Sequence, residues 1–90
     1  MRVVYHNGKF VPESEARISI FDSALMFGDM VFEMTRSFAK KQFKLREHID
    51  RLYSSIDYVK IPLNVSKQEM EEICFKTIEK NESEFLETDE

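Results

Sequence analysis

The stretch FKLREHIDRLYSSIDYVKIP, residues 43 to 62, changes from a strand-like to a helix-like pattern. After Arg46, apolar side chains recur at helical spacing, at Ile49, Leu52, Tyr53, Ile56 and Val59. Pro62 ends the pattern, because proline cannot continue a helix and restricts the residue before it. The stretch therefore predicts an amphipathic helix that ends near Lys60 or Ile61.

The polar side of this predicted helix is divided into two sectors. His48, Arg51 and Ser55 lie together on one flank, whereas acidic residues occupy the remaining arc. A surface salt bridge from Glu47 to Arg51, one helical turn away, is one explanation of the flank. An anion site is the other, because a guanidinium offers a planar fork of donors that matches phosphate oxygens. Spacing alone leaves both explanations open.

The first part of the chain predicts a hairpin and a short helical turn. Asn7-Gly8 favours a type I′ turn, which would pair residues 3–6 with residues 9–11. Pro12 is expected to end this pairing at an edge. Asp22 or Ser23 is expected to cap a brief helical turn that runs through Leu25.

A second hairpin is predicted just before the helix. MVFEMTRSF, residues 30–38, has the alternation of a strand, with Phe32, Met34 and Phe38 on one face. QFKL, residues 42–45, predicts its partner strand, with Phe43 and Leu45 on one face.

A second helix is predicted beyond Pro62. Ser66 and Glu69 have the spacing of a capping box, and Asn81 is a candidate for the C-terminal cap. The predicted fold class is therefore α+β, with a small antiparallel sheet of hairpins followed by two amphipathic helices.

The bulk composition excludes several classes of protein. The 90 residues are 42% hydrophobic and 33% charged, which indicates one small globular domain or a piece of a larger one. The net charge of −4 argues against nucleic-acid binding, and no apolar run approaches the roughly 20 residues of a membrane span.

The single cysteine, Cys74, excludes an internal disulfide and fits the cytoplasm. We expect it to be a buried small hydrophobe.

Three segments together resemble a known family. NGKFV, FGDMVFEMTRSF and FKLREHIDRLYSS are similar to the N-terminal domain of class IV aminotransferases, the pyridoxal-phosphate enzymes of fold type IV. This family includes branched-chain aminotransferases, D-amino-acid aminotransferases and aminodeoxychorismate lyase. The resemblance extends from about Tyr5 to Asn81. DSALMFGD is closer to the branched-chain members, and EHIDRLYSS is closer to the D-amino-acid members.

The resemblance implies roles for three residues. Arg51, in the H-x-x-R-L motif, would contact the phosphate of pyridoxal phosphate. Phe32, in V-F-E, and Phe27, before the glycine of F-G-D, would line the substrate pocket; without the family, an ordinary core position is the favoured interpretation of both. No catalytic residue and no metal site is expected within residues 1–90.

The resemblance also implies that residues 1–90 form the small N-terminal domain of a larger enzyme. The lysine that binds the cofactor covalently would lie in a large domain that is missing from this chain, so the isolated chain is expected to be inactive. The whole enzyme would transfer an amino group between an amino acid and a 2-keto acid, as a homo-oligomer. The alternatives are an aminodeoxychorismate lyase and a non-catalytic interaction module whose acidic C-terminal end meets a basic partner.

Overall fold

The computed structural model describes residues 1–85, and it confirms the predicted α+β fold class. Residues 86–90, which include most of the acidic end, lie outside the described residues. The elements are strands β1 (Val3–His6) and β2 (Lys9–Pro12), helix α1 (Ser23–Phe27), strands β3 (Arg36–Phe38) and β4 (Lys41–Phe43), and helices α2 (Leu45–Val59) and α3 (Lys67–Lys80). Single turns of 3-10 helix follow β2 and α3.

The first hairpin forms as predicted. Strands β1 and β2 are antiparallel, and their register places His6 opposite Lys9. Asn7 and Gly8 both have positive φ, 50° and 84°, which is the backbone that a type I′ turn requires. Pro12 is the last paired residue, opposite Val3, as expected of a proline at the end of a strand.

The second hairpin is shorter than predicted, and the prediction of a strand over residues 30–38 is wrong for its first part. Only Arg36–Phe38 pairs, with Lys41–Phe43. The pairing stops there because Lys44 has a positive φ and α2 begins at Leu45, so β4 offers residues 30–35 no backbone partner. Leu45, predicted on the second strand beside Phe43, is instead a buried residue in the first turn of α2.

Local signals define the helices. Asp22 caps α1 by accepting a hydrogen bond from the Ala24 backbone N–H, and the αL conformation of Gly28 ends that helix. Ser66 and Glu69 form the predicted capping box at the start of α3. Within residues 1–85, the buried apolar residues are Leu45, Ile49 and Ile56, which all lie on α2 and form its inner face.

Asn81 joins the end of α3 to the first strand. Its amide nitrogen donates to the carbonyls of Val3 and Thr77, at 2.8 and 2.7 Å, and its amide oxygen accepts the Val3 backbone N–H at 2.7 Å. The residue that was predicted as a helix cap therefore also pairs with the outer edge of β1. This contact holds the first hairpin against the helices.

The connection between β2 and β3 carries an unusual amount of exposed apolar surface. We call residues 18–34 the apolar arm, because their large apolar side chains are more than half exposed, at Ile18, Ile20, Phe21, Leu25, Met26, Phe27, Met30, Phe32 and Met34. Many exposed apolar side chains in one segment of this kind are typical of a site of interaction.

Candidate functional site

Two residues of the polar flank of α2 contact one carboxylate. His48 and Arg51 lie one helical turn apart, and both contact Glu33. Arg51 donates from Nε to Oε2 and from Nη2 to Oε1 of Glu33, both at 2.7 Å. Nδ1 of His48 lies 2.7 Å from Oε1 of the same carboxylate. We call these three residues the Glu33 cluster.

The ion pair of Arg51 is not the one that helical spacing favours. Glu47 stands in the preferred position for a salt bridge along the helix, but the guanidinium binds Glu33, 18 residues before it. The geometry is bidentate, with two parallel hydrogen bonds, which fixes the plane of the guanidinium as well as its distance. The predicted salt bridge of Arg51 with Glu47 is therefore wrong, and the ion pair joins α2 to Glu33 instead.

The cluster keeps its carboxylate charged. The Glu33 side chain is 14% exposed, yet the hydrogen bonds from Arg51 and then from His48 lower its pKa from 4.5 to about 2. The same contact raises the pKa of Arg51. Near neutral pH the Glu33 carboxylate and the Arg51 guanidinium are both ionised, and their charges balance each other.

Arg51 has donors left for a ligand. Its side chain is 67% exposed, and Glu33 accepts from Nε and from Nη2. Nη2 also lies 3.4 Å from Nδ1 of His48, so the two N–H groups of Nη1 are the donors that these contacts leave free. Remaining donors of this kind, held in one plane, fit two oxygens of a phosphate monoester. The donor set therefore fits the phosphate of pyridoxal phosphate, while Glu33 already balances the charge of Arg51. Most of the phosphate charge must therefore be balanced by groups outside the cluster.

The chain before Glu33 runs along α2. Residues 28–30 line a cavity of about 390 Å³ together with residues 59–62, at the C-terminal end of the helix. Glu33 then contacts the middle of α2 at Arg51, so this segment runs antiparallel to the helix. Phe32 is thereby placed beside the cluster, whereas Phe27 lies toward the far end of α2.

Both phenylalanines are open to solvent. Phe27 is 76% exposed and Phe32 is 77% exposed, so neither belongs to the core of the described residues. The interpretation of the two side chains as ordinary core is therefore wrong. Their exposure leaves them available to a ligand or to another protein surface.

The cluster also borders an apolar cavity. Glu33 and His48 line a space of about 460 Å³, whose other walls are mostly apolar side chains from β1, α2 and α3. Cys74 lines the same space, and burial raises the pKa of its thiol. Cys74 is half-buried, so it is less enclosed than the predicted buried hydrophobe, and the raised pKa favours its protonated thiol.

A family model described as "Amino-transferase class IV" matches residues 30–88, a range that contains all three residues of the Glu33 cluster. The chain belongs to the class IV aminotransferase family. This membership confirms the resemblance found in the motifs.

Curated relatives of this class IV aminotransferase chain carry two kinds of name. A Methanocaldococcus jannaschii protein, provisionally named branched-chain-amino-acid aminotransferase, is 44% identical over 87% of the chain. The D-alanine aminotransferase of Staphylococcus aureus strain N315 is 34% identical over 93% of the chain, and that of Listeria monocytogenes is 36% identical over 90%. The chain spans only 27% to 30% of the length of these relatives.

Glu33 is the site residue that the sequence analysis missed. It lies between Phe32 and Met34 in the segment predicted as a strand, and its contacts lie 15 and 18 residues away, beyond any helical or strand spacing. Its only signal is its place in the V-F-E motif.

Among the described residues, none of the helices is long and apolar enough to cross a membrane.

Proposed function

We propose that this class IV aminotransferase chain works as the small domain of a pyridoxal-phosphate enzyme that transfers an amino group between an amino acid and a 2-keto acid. Family membership and the names of the relatives support this assignment. In the proposal, a large domain supplies the lysine that binds the cofactor, and residues 1–90 alone are inactive. The relatives are several times longer than the chain, which is consistent with a second domain.

Arg51 carries the proposal. It is exposed, and its guanidinium plane is fixed while the N–H donors of Nη1 remain. In the proposed enzyme, Arg51 binds the cofactor phosphate and so fixes the position of the ring. Holding a reacting group in one position lowers the barrier by several kcal/mol. When bound, pyridoxal phosphate supplies the electron sink for amino transfer.

Phe27 and Phe32 are proposed as apolar walls of the substrate pocket. Exposed aromatic side chains on the apolar arm can bind an apolar substrate side chain and exclude water from the reacting atoms. The rest of the apolar arm would be covered by the large domain and by a second copy of the protein. The free Cys74 is consistent with a reducing compartment such as the cytoplasm.

The test of this proposal measures activity in the full natural protein that contains this chain. Purified protein is supplied with pyridoxal phosphate, 2-oxoglutarate and either a branched-chain L-amino acid or D-alanine, and glutamate formation is followed. We expect amino transfer that depends on the keto acid. Pyruvate release from aminodeoxychorismate without a keto acid would instead assign a lyase, and failure to bind pyridoxal phosphate would leave the non-catalytic interaction module.

A matched pair of arginine variants connects the activity to the site. Arg46 lies on the same helix as Arg51 and also makes a bidentate contact, with Glu71 on α3. We expect Arg51→Ala to need much more pyridoxal phosphate for half-maximal activity and Arg46→Ala to need the same amount as the wild type. Equal requirements in both variants would separate the activity from Arg51.

A further inference from the structure

We propose that Glu33 is a positioning residue, which holds the guanidinium of Arg51 in the orientation for phosphate binding and ties the segment that carries Phe32 to the same helix. This inference rests on the proposed function, because it assumes that Arg51 binds the phosphate. It adds a role for a residue that binds neither cofactor nor substrate itself.

Glu33 is the fixed member of its pair with Arg51. The carboxylate is 14% exposed, whereas the Arg51 side chain is 67% exposed. His48 approaches Oε1 of the carboxylate at 2.7 Å, so Glu33 is held by a second group on α2 in addition to Arg51. An exposed arginine without a partner samples many rotamers, and a ligand that binds it must first order it. Glu33 orders Arg51 before any ligand arrives.

The same carboxylate fixes the chain around it. Residues 31–35 belong to no helix or strand, so they have no regular backbone ladder to hold them. Two contacts to α2, at His48 and at Arg51, hold residue 33 against that helix. Phe32 is the adjacent residue. One carboxylate therefore fixes the positions of both Arg51, the proposed phosphate anchor, and Phe32, the proposed wall of the substrate pocket.

A purely electrostatic role for Glu33 makes the opposite prediction. If the carboxylate only balanced the charge of Arg51, its removal would strengthen phosphate binding, because a negative charge near the anion would be lost. If it positions Arg51, its removal weakens phosphate binding. Glu33→Asp separates the two roles, since aspartate keeps the charge but is one methylene too short to keep both contacts.

The experiment measures phosphate preference in the full natural protein, stripped of cofactor. Dissociation constants for pyridoxal phosphate and for pyridoxal are measured by fluorescence, and their ratio isolates the contribution of the phosphate. A concentration of about 1 M KCl reduces the electrostatic range to about 3 Å and leaves the positioning effect in place. Glu33→Asp and Glu33→Gln are compared with Glu47→Asp and Glu47→Gln, which alter an exposed carboxylate on α2.

We expect both Glu33 variants to lose phosphate preference by roughly 2- to 10-fold, the effect of leaving one long side chain unordered before binding. Hydrogen exchange should also rise in residues 31–35, and the Glu47 variants should match the wild type in both measurements. Arg51→Lys keeps the charge and loses the bidentate fork, so it should show a similar loss and gives a second test if the Glu33 variants do not fold.

The outcomes distinguish this inference from the proposed function. An unchanged phosphate preference in Glu33→Asp, or a raised one in Glu33→Gln, would overturn the positioning role and leave Arg51 as the anchor. An unchanged preference in Arg51→Ala would overturn the proposed function itself, and the positioning role with it.

Discussion

The carboxylate of Glu33 and the guanidinium of Arg51 meet through two parallel hydrogen bonds of 2.7 Å, although 18 residues separate them in the chain. The contact joins a segment without regular structure to the middle of α2. It also leaves Arg51 exposed with free donors while the partner carboxylate is almost covered. This asymmetry is what distinguishes the pair from an ordinary surface salt bridge, in which both groups are exposed and mobile.

The stability of the protein should depend on the ionisation of Glu33. Its pKa falls from 4.5 to about 2 on folding, so its contribution is complete above pH 4.5 and is lost as the pH falls toward 2. We expect Glu33→Gln to remove part of the decline in unfolding free energy between these pH values. Urea unfolding at a series of pH values measures the difference.

Two comparisons make this pH measurement specific. Glu84 also has a lowered pKa, because the N-terminal amine binds it, but that contribution is common to both proteins and cancels in the difference. Glu47→Gln serves as the control and should keep the wild-type dependence. Identical pH profiles for the wild type and Glu33→Gln would contradict the strength of the Glu33 contacts.

A glycine in the turn of the second hairpin should stabilise the protein. Ala39 and Lys40 both have positive φ, 50° and 65°, which non-glycine residues adopt only at a cost. We expect Ala39→Gly to raise the unfolding free energy by about 1 kcal/mol, as measured by urea titration. Ala16 has a φ of −82°, so Ala16→Gly should instead lower stability slightly; the same sign for both variants would refute this explanation.

The double contact of Asn81 should depend on its amide nitrogen. Asn81→Asp keeps the acceptor for the Val3 N–H but replaces the donor with an oxygen that faces the carbonyls of Val3 and Thr77. We expect a loss of about 1–3 kcal/mol in unfolding free energy. Asn64, exposed between α2 and α3, provides the control, and equal effects of Asn64→Asp and Asn81→Asp would argue against the contact.

Local signals in the sequence were sufficient to predict most of the fold. Asn7-Gly8 set the first turn, Ser66 and Glu69 set the start of α3, and the apolar spacing of α2 identified Ile49 as a core position. These features depend on neighbours within a few residues, and their energetics are the same in any protein. They are therefore readable from a single sequence.

Features that depend on distant partners were not predictable. Residues 30–35 alternate like a strand, but a strand also needs a neighbour, and β4 ends after Phe43. Spacing identified Arg51 as a candidate anion ligand, yet neither its partner Glu33 nor the exposure of Phe27 and Phe32 follows from any periodicity. Only the folded chain brings these groups into contact or leaves them at the surface.

Substrate choice should depend on Phe32. If it forms an apolar wall of the pocket, Phe32→Ala should raise KM for a branched-chain amino acid by roughly tenfold, since about 1.5 kcal/mol or more of apolar contact is lost. Steady-state kinetics of the full natural protein measure this change. Phe75, an exposed phenylalanine on α3, is the control, and the same KM in Phe32→Ala and Phe75→Ala would remove Phe32 from the pocket.

The most direct test of Arg51 as phosphate anchor compares the affinities of the cofactor-free natural protein for pyridoxal phosphate and for pyridoxal, in the wild type and in Arg51→Ala. We expect the variant to lose roughly 10- to 100-fold in affinity for pyridoxal phosphate, the value of hydrogen bonds to a charged group, and nothing for pyridoxal. An unchanged affinity for pyridoxal phosphate, or an equal loss for both ligands, would contradict the assignment of Arg51 to the phosphate.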